Sequence, residues 1–220
     1  MPIDHEIDSR NKNIQIYING SFYHRDEAKI SVYDSGFLMG DGIWEGLRLV
    51  NDKWIFIDEH IDRLFEGCKA IDLDIKMTKE DIVSALDETK SINNMSNEVH
   101  ARLMITRGNK SKPFQQPHLS ESGINIVIIM EHSKPSIDVK NITMATVPQV
   151  RGMPMSQDPK LNSHSKLNCI LACIQANKLG ADEALMLDPL GFVNTTNSCN
   201  FFIVKNNQVW TSTGDYCMNG

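Results

Sequence analysis

Between Asp158 and Phe202 the chain runs through a polar stretch carrying Lys160 and Lys166, then a helical segment from Ser165 to Leu179. A short apolar strand (Ala184 to Leu187), a turn at Pro189-Leu-Gly191 and a second strand at Phe201 to Val204 follow. A strand this apolar is covered on its faces, and the helix beside it in sequence is the nearest cover. That order alone requires helices layered on sheet. Asn206-Asn207 then turns the chain into a further strand at Gln208 to Thr211.

The preceding residues repeat the logic with antiparallel signals. Ile14 to Ile18 alternates, Asn19-Gly20 supplies hairpin-turn chemistry, and Ser21 to His24 returns. Ala28 to Tyr33 reads as another strand, and Ile43 to Val50 and Trp54 to Ile57 as a pair joined at Asn51-Asp52. Asp58 is placed to cap a helix from Glu59 to about Asp72, with Ile61, Leu64, Phe65, Cys68 and Ile71 on one stripe. Thr78 and Asp81 form a capping-box pattern before a second helix reaching about Lys90. His100 to Thr106, Ile124 to Met130 and Ile142 to Pro148 read as strands. The polar, proline-containing stretch 131–140 is the natural joint. The expectation is an α+β chain of two domains, 1–133 and 134–220.

Composition removes several classes of function. A formal charge of −6 with no dense Lys/Arg cluster argues against a nucleic-acid surface. No apolar run approaches the roughly 20 residues that span a bilayer, and the acidic start lacks a signal-peptide core. Five cysteines without framework spacing suit a reducing compartment, and a cytoplasmic protein is expected. Cys169 and Cys173, four apart on a helix, read as core filler, and the histidines show no ligand spacing, so no metal is expected.

Four motifs in order then carry a family resemblance. They are Asp34-Ser-Gly-Phe-Leu-Met-Gly-Asp-Gly-Ile-Trp-Glu-Gly-Leu-Arg48, Glu59-His-Ile-Asp-Arg-Leu64, the Thr-Arg-Gly ending at Gly108, and Gly180-Ala-Asp-Glu-Ala-Leu through Asn200-Phe-Phe202. Together they resemble the class IV, or fold-type IV, aminotransferases, of branched-chain and D-amino-acid type. The resemblance implies a small α/β domain, a larger pseudo-barrel domain, pyridoxal 5′-phosphate (PLP) held between them, and a homodimer. Family members typically continue past the point matching Gly220, which favours a fragment over a protein that ends early and binds phosphate weakly.

The same resemblance suggests roles. Arg63 matches the arginine that holds the cofactor phosphate, a task suited to a guanidinium's paired, charge-assisted hydrogen bonds, and His60 stands one helical turn before it. The family lysine stands about eighteen or nineteen residues before the glycine matching Gly180, where this chain has Asn162 and Leu161. A PLP enzyme needs a lysine amine for the cofactor aldehyde. Lys166 is the preferred candidate, because it occupies a helix position that faces the cofactor in branched-chain members; Lys160 is the alternative. Thr195 stands where the family has a glutamate on the ring nitrogen, and Thr196 and Asn200 complete that strand-turn cluster. Arg102 matches a substrate-side arginine and Phe37 replaces the tyrosine of D-amino-acid members, whose later Pro-Arg-x-His segment is absent. Arg107 reads as structural. The expected function is amino transfer between a small, branched-chain-like amino acid or amine and a keto acid. An aminodeoxychorismate-lyase-like reaction and a non-catalytic PLP-binding homologue are the alternatives.

Overall fold

The computed structural model describes residues 8–134 and 141–218, and these two stretches form two compact units. The expected joint falls largely on residues 135–140, outside the described residues.

The first unit is built on six antiparallel strands: β1 (Gln15–Ile18), β2 (Ser21–His24), β3 (Gly42–Val50), β4 (Lys53–Trp54), β5 (Val99–Thr106) and β6 (Asn125–His132). Their order is β2-β1-β6-β5-β3-β4, with the long strands in register from Gly42 opposite Thr106 to Leu49 opposite Val99. A short helix α1 (Ser35–Met39) and two longer ones, α2 (Ile57–Ala70) and α3 (Lys79–Ile92), interrupt them. Period-two alternation puts Ile43, Leu47, Leu49, Val99, Ala101, Leu103, Ile105, Ile128 and Met130 on one face. That face joins Ile61, Leu64, Ile82 and Leu86 of the helices in a single core. Each fully buried Leu or Ile there is worth about 1.5–3 kcal/mol.

Asn19 and Gly20 both take positive φ, 50° and 87°, as the two-residue hairpin requires. The Thr78–Asp81 capping box is present in full. Three expectations fail. Ala28 to Tyr33 pairs in no sheet: Ala28, Lys29 and Ile30 line a groove with open-face residues such as Ile16, Arg102 and Ile129, so this segment packs across the sheet instead of along an edge. The strand at Trp54 ends at once, because Phe56 adopts φ 53° and helix α2 begins at Ile57. Asp58 therefore sits inside the first turn, where its charge favours the helix dipole, and is not the cap.

In the second unit, β7 (Met144–Thr146) runs parallel to β8 (Glu183–Leu187), which pairs antiparallel with β9 (Val193–Thr196), a strand the sequence pattern does not separately mark. Helix α4 (Leu167–Lys178) buries Ala172 and Ala176 against Val147, Ala184 and Met186. Its larger apolar residues Leu167, Ile170, Leu171 and Ile174 are exposed, so the buried stripe consists of small residues. The hairpin of β10 (Phe202–Lys205) and β11 (Gln208–Thr211) forms its own two-stranded sheet. No helix among the described residues is long and apolar enough to cross a membrane.

Candidate active site

Candidate residues fall in both units, and each set is built locally. In the first unit, the parity of β3 that buries Ile43 and Leu47 also buries Glu45, which is fully inaccessible. An unpaired carboxylate there would be prohibitively costly. Helix α2 supplies its partners: Arg63 donates through Nε to Oε1 at 2.8 Å and through Nη2 to Oε2 at 2.7 Å, and His60 Nδ1 lies 2.8 Å from Oε2. Burial alone would raise the Glu45 carboxyl, but the Arg63 and His60 hydrogen bonds outweigh it and hold it below the usual range. The same fork raises Arg63. A guanidinium locked along one edge is a pre-oriented cation, suited to a phosphate dianion.

Asp34 organises the loop before β3. Its buried carboxylate caps α1 through the N–H groups of Gly36 and Phe37 and accepts from Thr106 Oγ1 at 2.5 Å and Asn125 Nδ2 at 2.7 Å. This presents Phe37 at the surface, 68 % exposed. Arg107 donates to both oxygens of Asp41 and to the carbonyls of Ile71 and Asp72, the structural role expected of it. On the open face of the sheet, Arg102 stacks over the Trp44 ring at 4.1 Å and is lowered by burial. Beside it His100 is pushed down to about 4 by burial and by the charges of Arg48 and Arg102.

In the second unit, Lys166 is the N-cap residue of α4 and is half-buried. Lys160 is exposed, in a turn where its N–H donates to Asp158 Oδ1 at 2.9 Å. Between them Asn162 points inward, 5 % exposed, and its Oδ1 has no donor. Gln149 Oε1 and Asn194 Oδ1 are likewise buried without donors. A buried acceptor left unpaired costs on the order of 1–3 kcal/mol, so these three are acceptors available to a ligand's N–H or O–H groups. Thr195 and Thr196, both buried on β9, donate their hydroxyl hydrogens to the Cys199 carbonyl at 2.6 and 3.0 Å. Thr195 also bridges to Asn200 across the turn. With its hydrogen committed, the Thr195 hydroxyl offers lone pairs to a ligand, and no formal charge. Cys169 and Cys173 are half-buried thiols on α4. Among the described residues, no cluster of His, Cys, Asp and Glu could hold a metal.

The motifs alone do not mark Glu45 as the partner of Arg63. The available signal is parity: a glutamate in phase with Ile43, Leu47 and Leu49 must be buried, and a buried carboxylate needs a cation.

The first unit is a two-layer helix-on-sheet body carrying a locked arginine, and the second carries Lys166 at a helix start and a polar strand turn. Residues 42–220 match the family described as amino-transferase class IV, and the chain belongs to that family. It is 36% identical over 211 residues to branched-chain-amino-acid aminotransferase-like protein 2 of Arabidopsis thaliana, covering 96% of this chain and 38% of that protein. It is 38% identical over 194 residues to a putative branched-chain-amino-acid aminotransferase of Methanocaldococcus jannaschii, covering 88% of this chain and 66% of that protein. The chain thus spans under two-fifths of the plant relative. The fold is that of the branched-chain aminotransferase of Thermoproteus uzoniensis (TM-score 0.83, 24% identity, 94% of this chain and 70% of that one). It is equally that of the T.th. branched-chain amino acid aminotransferase complexed with N-(5′-phosphopyridoxyl)-L-glutamate (TM-score 0.84, 23% identity, 95% and 70%).

Proposed function

We propose that the protein is a PLP-dependent aminotransferase acting on a branched-chain or other small amino acid, with a keto acid as acceptor. The observation that carries this reading is the buried Glu45–Arg63 fork, which fixes a guanidinium in the family's phosphate-binding motif. Supporting it are the relatives' names and the three buried acceptors without donors in the second unit.

The residues fit the cofactor in part. Arg63 would hold the phosphate, and Lys166 would supply the amine that takes the cofactor aldehyde. When bound, PLP supplies an electron sink for the α-carbon of the amino acid. Lys166 would be the group that takes up the proton from that carbon. Thr195 and Asn200 would lie on the ring-nitrogen side; a threonine there cannot hold a proton on that nitrogen as a carboxylate does. Arg102 and Phe37 would meet the substrate. Homodimeric assembly and a cytoplasmic location are further parts of the proposal.

Overall the amino group leaves one amino acid and appears on the acceptor keto acid, each product keeping its own carbon skeleton. The test is amino transfer by the intact protein loaded with PLP, from leucine, valine or alanine to 2-oxoglutarate. New glutamate that depends on the donor supports the reading. Ammonia or pyruvate released without any acceptor would replace it with the lyase, the alternative favoured by Thr195.

A further inference from the structure

Arg151 lies outside every motif that identified the family, yet it ties together four segments of the second unit. Its backbone N–H donates to Leu187 O at 2.8 Å, fixing it beside the end of β8. Its guanidinium donates through Nη2 to Pro159 O at 3.4 Å, through Nη1 to Cys169 Sγ at 3.1 Å in the first turn of α4, and through Nε to Tyr216 O at 3.3 Å. Pro159 and Cys169 bracket the segment that carries both Lys160 and Lys166.

Neighbouring side chains brace the same segment. Gln157 Nε2 donates to Ser163 Oγ and Ser165 O at 3.1 and 3.2 Å, and Asn168 Nδ2 donates to Val150 O at 2.8 Å. The location is electrostatically unfavourable: a cation sits at the positive end of α4, whose first turn contains no acidic residue. A role confined to stability would be filled better by an uncharged side chain. What a guanidinium adds is a planar set of donors able to fix several carbonyls and a thiol at once.

We propose that Arg151 is a positioning residue that holds the lysine-bearing segment 159–169 in register with β8. The inference rests on the proposed aminotransferase reading only for the use of the lysine; the clamp itself stands on the contacts above.

Two measurements separate these. Hydrogen exchange of the cofactor-free intact protein is compared for wild type and Arg151→Met, with Arg151→Lys as a second variant that keeps the charge. Losing the fork should speed exchange at amides 157–167 about tenfold while leaving β3 and β5 unchanged. Arg151→Lys, which can satisfy one acceptor at a time, should fall between. Exchange that is unchanged, or raised equally everywhere, overturns the clamp. The second measurement is borohydride trapping of PLP. In Arg151→Met the fraction of lysine trapped in segment 159–169 should fall several-fold with the protein still folded. Trapping equal to wild type overturns the positioning role. If wild type traps no lysine, the aminotransferase reading fails, while the exchange result still decides the clamp.

Discussion

Glu45 makes the sharpest demand at the scale of a single residue. Its carboxylate is fully buried and depends on Arg63 and His60. Removing one partner of a buried pair leaves the other uncompensated, so Glu45→Gln should destabilise the first unit by about 3 kcal/mol in denaturant titrations at pH 7. Because the folded-state pKa of Glu45 is lowered, its contribution is present above the ordinary carboxylate range and fades as pH falls through the folded value. The stability difference between wild type and Glu45→Gln should therefore shrink as the solution is acidified below about pH 4. A difference that stays constant or grows contradicts the ion-pair account. Glu45 also shows what a sequence discloses about a site. The motif containing it is visible, and so is Arg63; the bond between them is a tertiary fact, recoverable only by noticing that the glutamate shares the buried phase of its strand.

Elements are most legible where local chemistry decides them. The Asn19-Gly20 hairpin, the Thr78 capping box and the strand at Gln208 all stand where the residues put them. Ala28 to Tyr33 misleads because its composition suits a strand while its partners are side chains on a sheet face, which no local pattern encodes. The start of α2 misleads because Phe56 accepts a left-handed conformation despite its bulk. The Thr-Arg-Gly ending of β5 shows a tertiary reason hidden in a motif: a Cβ on Gly108, at φ +85°, would come within 1.7 Å of the Gly123 carbonyl oxygen. Gly108→Ala should cost at least about 3 kcal/mol, whereas Gly123→Ala, with open space around its Cβ position, should cost about 1 kcal/mol through its positive φ. Thermal unfolding of the two variants checks the ordering, and equal losses contradict it.

For the whole molecule, family membership rests on residues 42–220 and the fold on close agreement with solved aminotransferases. The proposed reaction rests on which nitrogen would meet the cofactor. The position where the resemblance places a lysine holds the inward-pointing amide of Asn162, Lys160 points outward, and Lys166 begins helix α4. The most direct measurement is borohydride reduction of the intact, PLP-loaded protein followed by peptide mapping. The label is expected on Lys166, and Lys166→Ala should abolish it while leaving Lys160 unmodified. Label on Lys160, or on no lysine at all, would contradict the account.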